Sequence, residues 1–380
     1  MPPILANLPL VKTRAKREIG RRIFPEAPWE RTHVRPMRET ARLVAGRMRW
    51  AGPTRHETGW ASVDEVYREL DRDVASYLGR AAARGVRAVY AYEDGALETF
   101  RVARSRGLKR LYDLPIAHWR TLRRLLAEEA DMHPAWAPTM EGLVDSPSKL
   151  ERKDEEIELA DQVVVASSFT RRSLEEHFGR DLAITLTPYG APPPLVTYPA
   201  RRRAGEPLHL FYAGHLTQRK GMAYLIAALH SVDIPWQMTL AGPRPAAAPP
   251  ELDAFLADPR CRWLGHVPHA TLLEEMTRAH VFVFPSIAEG FAMVLFEAMA
   301  AGMPVITTPH TAGPDIMTSG QEGFIVPIRD PNAIAACIAL LHADEDRRLA
   351  MAMTALAQAT TSRWQDYEAK IIAIFDEILA

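Results

Sequence analysis

Two glutamates, Glu289 and Glu297, stand eight residues apart in the segment PSIAEGFAMVLFEAMAAGMPVITT, residues 285–308. A carboxylate can accept hydrogen bonds from sugar hydroxyls, as acidic residues do for the ribose in dinucleotide-binding folds. Glu297 lies within the almost wholly apolar stretch AMVLFEAMAA, where a charge is unfavourable unless it has polar partners. A surface loop with two solvated glutamates is the alternative, but the apolar context favours a binding site.

The loop around Glu289 also has features of an anion site. The apolar strand VFVFP leads into it, and Gly290 allows backbone amides to come close to a ligand. A helix predicted from about Ala292 would present free N–H groups and the positive end of its dipole, which suit a phosphate. By position, Glu297 is expected about two turns into that helix.

A second segment, FYAGHLTQRKGMAYLIAAL (residues 211–229), repeats this arrangement of strand, loop and helix. The strand is predicted to end at Gly214, the polar loop carries Arg219 and Lys220, and Gly221 opens the helix. Cations beside a helix N-terminus suit a diphosphate leaving group. Exposed Arg-Lys pairs are common, but the repeated geometry within one half of the chain favours a shared site.

Candidates in the first half are weaker. Asp113 lies at the end of a predicted strand in YDLPIAHWR, His118 follows that strand, and the segment Tyr92-Glu93-Asp94-Gly95 ends another. Each could face a cleft at the carboxyl ends of the strands, or could be a helix cap or a surface group. The sequence leaves these alternatives open.

Two short sequence patterns resemble metal-binding sites but are weak evidence for a metal ion. Asp71-Arg72-Asp73 has the form of a metal-binding D-x-D motif but lies inside a helical pattern, which favours a solvated face. His266 and His269 flank Val-Pro, and no acidic or cysteine partner is spaced for a shared metal ion. We therefore expect no metal site and no resident cofactor.

The elements that must position these residues alternate between helix and strand from about residue 60. Ser62-Val63-Asp64-Glu65 has the form of a capping box, opening a helix that ends near Gly85. Short apolar strands alternating with helices predict parallel sheets covered on both faces. The predicted strands are Val86–Tyr92, Leu108–Leu114, Gln162–Ala166, Ala183–Pro188, Leu208–Ala213, Gln237–Ala241, Val281–Phe284 and Val305–Thr307.

The segment APPPLVTYPARRRAGEP, residues 191–207, lacks an apolar period and is predicted to be a linker. We expect an α/β protein of two doubly wound, Rossmann-like domains, residues 1–203 and residues 204–363. A last amphipathic helix within residues 364–380 would complete the first domain. The ligand cleft would lie between the domains.

Composition narrows the class of protein. The two cysteines, Cys261 and Cys337, cannot build a disulfide framework, and no stretch of eighteen apolar residues occurs, so we expect a cytoplasmic protein. Residues 1–203 carry a net charge of +7 and residues 204–380 a net charge of −8. A basic first half is compatible with an anionic acceptor or a peripheral contact at the inner membrane face, and equally with a solvated surface. No zinc-finger spacing or aromatic-interleaved basic stripe indicates nucleic acid.

The opening of the chain is unusual. Residues 1–58 carry 13 Lys+Arg against five Glu, without a clear strand followed by a glycine turn. The first sheet is therefore expected to lack its opening strand. A bare sheet edge invites association, so a homodimer contact is one way to complete it.

Together the motifs resemble retaining glycosyltransferases of family 4, which have the GT-B fold. The resemblance covers roughly residues 160–380. The matching motifs are G-x-L-x-x-x-K-G (Gly214 to Gly221), P-S-x-x-E-G-F (Pro285 to Phe291), E-A-M-A-A-G-x-P-V-I (Glu297 to Ile306), G-F-I-V-P (Gly323 to Pro327) and W-x-x-Y (Trp364 to Tyr367).

This resemblance implies transfer of a glycosyl unit from a UDP-, GDP- or ADP-sugar to an acceptor hydroxyl, with retention and without metal. Arg219 and Lys220 would hold the donor diphosphate, and Glu297 would hold the ribose. Glu289, with the backbone of Gly290 and Phe291, would contact the transferred sugar. Asp113 or His118 would match the polar strand-end residue that faces the donor. The remaining positions on the donor loops are Gly214, His215, Ser286, Ala292 and Leu295.

Two departures from the family pattern matter. His215 stands where the family usually has arginine after the loop glycine, and a neutral imidazole binds phosphate less well unless Arg219 substitutes. The usual opening strand with its glycine-rich loop is also not found. A non-catalytic relic that binds nucleotide-sugars, or another GT-B enzyme such as a nucleotide-sugar epimerase, therefore remain as alternatives. The acceptor (a saccharide, a lipid-linked molecule or a small molecule) is not defined.

Overall fold

The computed structural model describes residues 32–179 and 181–380. The chain divides into two units. One comprises residues up to Val86 together with Asp94–Gly107, and the other comprises Arg87–Glu93 and Leu108–Ala380. The division expected near residue 203 stays a prediction.

In the part that the structure describes, the first unit is helical. Its helices are α1 (Pro36–Met48), α2 (Ala51–Thr54), α3 (Val63–Ala83) and α4 (Leu97–Ser105). The side chain of Ser62 accepts a hydrogen bond from the backbone N–H of Glu65 at 3.1 Å, so Ser62 is confirmed as the N-cap of α3, although its own N–H donates to the carbonyl of Gly59. Residues 1–31 lie outside the described residues, so the expected absence of an opening strand stays a prediction there.

Asp71, expected on a solvated face, is instead 5% exposed. Its carboxylate accepts hydrogen bonds from the backbone N–H groups of Glu98 and Thr99, both at 2.8 Å. It therefore caps the start of α4 and fixes it against α3. The predicted location of Asp71 inside a helix is confirmed. The prediction of a solvated side chain is wrong, because its carboxylate binds backbone N–H groups of α4.

The second unit contains two parallel sheets. The first has four strands in the order β1-β2-β3-β4, and the second has six in the order β10-β9-β8-β5-β6-β7. The strands are β1 (Ala88–Tyr92), β2 (Lys109–Leu114), β3 (Gln162–Val165), β4 (Ile184–Leu186), β5 (Leu208–Ala213), β6 (Trp236–Ala241), β7 (Cys261–Trp263), β8 (Val281–Phe284), β9 (Val305–Thr307) and β10 (Gly323–Ile325).

Helices connect these parallel strands, as the sequence pattern requires. They are α5 (Trp119–Met132), α6 (Pro147–Leu159), α7 (Ser168–Phe178), α8 (Met222–Ser231), α9 (Pro250–Leu256), α10 (His269–Met276), α11 (Val294–Ala300), α12 (Gly313–Ile316), α13 (Pro331–Ala343), α14 (Glu345–Thr361) and α15 (Trp364–Leu379). Short 3-10 turns cover Pro134–Thr139, Glu141–Leu143 and Gln218–Lys220.

The helix after β8 differs from the expectation. It begins at Val294 rather than near Ala292, because Ala292 has a left-handed φ of 68° and cannot be part of a right-handed helix. Glu297 consequently lies in the first turn of α11 and not two turns into it. This shift places the carboxylate closer to the carboxyl ends of the strands.

Residues 191–207 form neither helix nor strand, as expected of a linker, but they are anchored. The backbone N–H of Leu195 donates to the carbonyl of Ala300 at 2.8 Å. After α14 the last helix, α15, packs Ile374 against Leu111 and Val164 of the first sheet. Among the described residues, no helix is both long and apolar enough to cross a membrane.

Candidate active site

Two loops meet at the carboxyl ends of β5 and β8. Gly221 has a φ of 75°, and a Cβ placed on it would lie 2.0 Å from the carbonyl oxygen of Pro285. Only glycine allows this approach. The backbone N–H of Ile287 then donates to the carbonyl of Arg219 at 2.9 Å. The two strand–loop–helix segments singled out in the sequence are thus joined directly.

Glu289 is the centre of this junction and is only 7% exposed. Its Oε1 accepts a hydrogen bond from Ser286 Oγ at 2.7 Å and lies 3.5 Å from Arg219 Nη1. Lys220 Nζ forms a short ion pair with the same oxygen. Glu289 is therefore not a solvated residue of a surface loop but a carboxylate held by two cations and a hydroxyl.

The charges at this junction do not cancel. Burial lowers the pKa of Lys220, and the Glu289 carboxylate beside it offsets part of that shift. Arg219 also donates to the carbonyl of Ala288 at 3.0 Å, which aims its guanidinium toward the Glu289 loop. With two cations and one carboxylate, the junction retains a positive charge that can attract a phosphate.

Glu297 lies on the neighbouring helix α11 and has its own partner. His269 Nε2, at the start of α10, is 2.8 Å from Glu297 Oε1. The Glu297 side chain is 16% exposed and that of His269 is 63% exposed, so the pair is open to a ligand. In the sequence, His269 resembles only a metal ligand, through its spacing from His266. Its pairing with Glu297 is a tertiary contact, which the spacing of residues along the sequence cannot predict.

The other predicted donor-loop positions differ in what they can offer. Gly214 directly follows β5, and the Tyr212 hydroxyl donates to the carbonyl of the exposed His215 at 2.8 Å. Ser286 and Leu295 are completely buried. Ser286 acts on Glu289, while Leu295 belongs to the apolar core. Phe291, 3% exposed, packs edge-on against Tyr189 with ring centroids 5.0 Å apart.

Asp113 is part of β2 itself and is 1% exposed. The Tyr90 hydroxyl donates to its carboxylate in a short hydrogen bond. Burial raises the pKa of Asp113 to about 6, although the hydrogen bond from Tyr90 acts in the opposite direction. The side chain is therefore enclosed and is not an open contact for a ligand.

His118 precedes the first residue of α5 and is also buried, at 1% exposed. Its Nε2 lies 2.9 Å from Asp154 Oδ1, and its Nδ1 has no hydrogen-bond partner among the described residues. Burial lowers the pKa of His118 to about 4, with Asp154 opposing the shift. The imidazole is therefore neutral at pH 7, and its Nδ1 is available for a further hydrogen bond.

The carboxyl end of β2 nevertheless meets the donor-side loop. A Cβ placed on Gly290 would lie 1.7 Å from the carbonyl oxygen of Pro115, so the two backbones touch there. Thr170 Oγ1 also donates to the carbonyl of Gly290 at 3.4 Å. Residues from both sheets therefore border the Glu289 loop, as a doubly wound arrangement with a shared cleft requires.

Comparisons with known proteins agree with this geometry. Residues 207–344 match the family model described as Glycosyl transferases group 1. The chain is 28% identical over 261 residues to the D-inositol 3-phosphate glycosyltransferase of Corynebacterium glutamicum, covering 62% of each protein. It is 28% identical over 247 residues to the glycogen synthase of Mycobacterium tuberculosis, covering 61% of this chain and 55% of the relative. The chain thus spans about three fifths of the length of these relatives.

Solved structures with a similar backbone are glycosyltransferases of the GT-B class. Sucrose-phosphate synthase from Thermosynechococcus elongatus has a TM-score of 0.68 and 19% identity, covering 85% of this chain and 82% of that one. Anabaena HepE in complex with UDP and glucose has a TM-score of 0.60 and 14% identity, covering 82% of both chains. The chain has the GT-B fold, and its residues 207–344 match the family model of the glycosyl transferases group 1.

Proposed function

We propose that this protein transfers a glycosyl unit from a nucleotide-diphospho-sugar to an acceptor hydroxyl, with retention of the anomeric configuration. The observation that carries the proposal is the junction of two strand–loop–helix segments, where Arg219 and Lys220 surround the Glu289 carboxylate. A family match over residues 207–344 and relatives named as glycosyltransferases support it.

The proposed roles of the site residues follow from the charges that develop during glycosyl transfer. Breaking the anomeric bond builds positive charge on the sugar and negative charge on the departing diphosphate. Arg219 and Lys220 would stabilise the diphosphate, because fixed cations lower the energy of charge that develops during the reaction. Glu289 would lie beside the transferred sugar, and its carboxylate would favour the positive charge there.

Glu297 would bind the ribose of the donor. Its carboxylate is held by the exposed His269, and ribose hydroxyls could share or replace that hydrogen bond. His118 would supply its uncommitted Nδ1 from the β2 side of the cleft once the side chain is uncovered. The structures of HepE that are described with UDP, glucose and UDP-glucose support a uridine nucleotide as the first donor to test.

The acceptor is a saccharide, a lipid-linked molecule or a small molecule. Relatives named for D-inositol 3-phosphate and phosphatidyl-myo-inositol make polyol and lipid acceptors the first choices for a screen. A peripheral membrane contact is favoured by the basic first half of the chain, whose helical unit exposes Met37, Trp50 and Trp60. Cosedimentation with anionic and neutral vesicles tests this contact, and light scattering tests the homodimer.

A panel of UDP-, GDP- and ADP-sugars tested by thermal shift would identify the donor. A ligand that binds only the folded state raises the melting temperature by mass action. Nucleotide release is then measured with and without candidate acceptors, and the anomeric configuration of the product is read by NMR. Acceptor-dependent release with retention supports the proposal.

The alternatives give different outcomes in the same assay. A non-catalytic relic binds a nucleotide-sugar but releases no nucleotide with any acceptor. An epimerase converts the sugar without an acceptor. A protein that binds none of the nucleotide-sugars contradicts the proposal altogether.

A further inference from the structure

One completely buried carboxylate belongs to none of the sequence motifs described above. Glu129, in α5, is 0% exposed. Its carboxylate accepts hydrogen bonds from Gln218 Nε2 at 2.7 Å and from the Tyr224 hydroxyl at 3.0 Å. Arg329 Nε completes the set at 2.5 Å. All three donors belong to the family-matched region, whereas α5 follows β2 of the first sheet.

Gln218 connects this carboxylate to the proposed phosphate loop. It is the first residue of the 3-10 turn whose other two residues are Arg219 and Lys220. Its side chain is held at both ends, because Oε1 also accepts from the backbone N–H of Ala223 at 3.0 Å. Its own backbone N–H donates to Thr139 Oγ1 at 3.2 Å. The position of the turn is therefore set by contacts that reach across from the α5 side.

Arg329 shows that the contact is maintained at the expense of backbone strain. It has a left-handed φ of 64°, a conformation that favours glycine over a residue with a side chain. The side chain uses this position to reach both Glu129 and Glu128, with Nη2 2.9 Å from Glu128 Oε2. A glycine there would remove the strain and the contact together, whereas a lysine would keep the strain, so the two variants separate the effects.

We propose that Glu129 is a positioning residue for donor binding, acting through Gln218 to hold Arg219 and Lys220 in the orientation that a nucleoside diphosphate requires. The proposal rests on the donor role assigned to Arg219 and Lys220 under the proposed function. Glu129 does not touch the donor. It ties the helix that follows His118 to the phosphate loop, so the two sides of the cleft are set by one buried cluster.

The test must avoid leaving a buried charge without its partner, because that alone destabilises a protein strongly. The double variant Glu129→Leu with Arg329→Gly removes both charges together with the oxygens that accept from Gln218, and it relieves the strain at residue 329. We expect a melting temperature within about 4 °C of the native protein. We expect the Kd for UDP, or for GDP or ADP if the native protein prefers one of these, to rise at least about tenfold by calorimetry.

Arg329→Lys is the conservative counterpart. It keeps a cation beside Glu129 and keeps the left-handed strain, so it should bind the nucleotide within about threefold of the native Kd while melting at a lower temperature than the double variant. The double variant should therefore have the weaker nucleotide affinity but the higher melting temperature of the two. A cluster that only stabilised the fold would make affinity follow the melting temperature.

Arg49→Gly is the matched control for strain, since Arg49 has a φ of 56° in the helical unit and is exposed. It should leave the Kd unchanged. If the double variant binds the nucleotide as tightly as the native protein, the positioning role is wrong while the proposed function stands. If the native protein binds none of UDP, GDP and ADP, both proposals are wrong.

Discussion

Glu289 and Glu297 occupy different electrostatic settings although they lie on one loop and helix. Glu289 shares a single oxygen among Ser286, Lys220 and Arg219. Among the residues that the structure describes, Glu297 has one polar side-chain partner, His269, which is largely exposed. A donor must therefore compete with strong ion pairs at Glu289 but needs to displace only one hydrogen bond at Glu297. This difference makes Glu297 the better residue for a binding test.

Replacement of Glu297 by alanine should weaken nucleotide binding while the fold remains intact. The carboxylate would lose hydrogen bonds to the ribose, worth about 1.5–3 kcal/mol where a charged group takes part. This corresponds to a rise in Kd of roughly 10- to 150-fold. Calorimetry with UDP, GDP and ADP measures the change, and His269→Ala is the matched control, because it should leave the carboxylate available to the ribose. Unchanged affinity for every nucleotide that the native protein binds would show the ribose assignment to be wrong.

Asp113 predicts a pH dependence of stability. Its folded pKa, raised to about 6 by burial, lies above the ordinary value of 3.8. The stability contributed by the protonated form is fully present below about pH 4 and is lost as pH rises through about 6. Asparagine does not titrate. Relative to the native protein, Asp113→Asn should therefore gain on the order of 2 kcal/mol in unfolding free energy between pH 4 and pH 7.

Urea unfolding of both proteins across this pH range measures the difference, and other titrations largely cancel in it. Tyr90→Phe removes the hydrogen bond that favours the charged carboxylate, so it should move the native transition to higher pH. A difference between native protein and Asp113→Asn that stays constant from pH 4 to pH 7 would rule out the raised pKa.

At the scale of elements, the close contact of the two donor loops depends on Gly221. Both Gly221 and the linker residue Gly205 have left-handed φ values, 75° and 83°. A Cβ on Gly205 would meet nothing within 4 Å, whereas one on Gly221 would collide with the Pro285 carbonyl. Gly205→Ala should therefore show only the conformational penalty, about 1–2 kcal/mol. Gly221→Ala should lose more stability and also weaken nucleotide binding.

Urea unfolding and calorimetry on the two alanine variants separate these effects. Equal losses of stability, with nucleotide affinity unchanged in both, would mean that the loops can move apart without consequence.

Elements with strong apolar runs were predictable from sequence alone. β5, β8 and β9 have the predicted bounds and α15 lies within the predicted residues 364–380, because each has an apolar or amphipathic pattern. β7 and β10 were missed, because each has only three residues, and β7 is also largely exposed. The motif residues of the two donor loops were recognisable, since glycine spacing and local charge reveal such loops.

Contacts that join distant elements could not be predicted. The pairing of His269 with Glu297, the cap that Asp71 provides and the burial of Glu129 all depend on tertiary packing. In each case the sequence shows an ordinary polar residue within a helical pattern. Which partner it meets is decided by the way helices pack over the sheets, and single-sequence periodicity carries no information on that.

At the scale of the whole molecule, the segment between the two sheets is fastened to the C-terminal helices. Arg348, completely buried, donates to the carbonyl of Ala200 at 2.7 Å and pairs with Glu345 at 2.6 Å. Glu345 also accepts from the backbone N–H of Arg202 at 2.9 Å. These contacts hold the linker against α14. The next helix, α15, then packs on the first sheet.

The charge distribution of the whole molecule leads to the last prediction, which concerns metal ions. The half of the chain that carries the donor loops has a net charge of −8, yet Arg219 and Lys220 are concentrated at the one place where a diphosphate would leave. Fixed cations at that place can do the work that a divalent ion does in metal-dependent transferases. Nucleotide release should therefore continue at an unchanged rate in the presence of a chelator.

The matched variant is Lys220→Met, which keeps the length and apolar stem of the side chain and removes its charge. If the protein itself supplies the cation, this variant should lose about 100-fold or more in turnover, with or without the chelator. Acceptor-dependent nucleotide release, measured in chelator and again after addition of Mg²⁺ or Mn²⁺, tests both proteins in one experiment. A native rate that collapses in chelator and returns with metal would mean that a divalent ion, and not Lys220 with Arg219, stabilises the departing diphosphate.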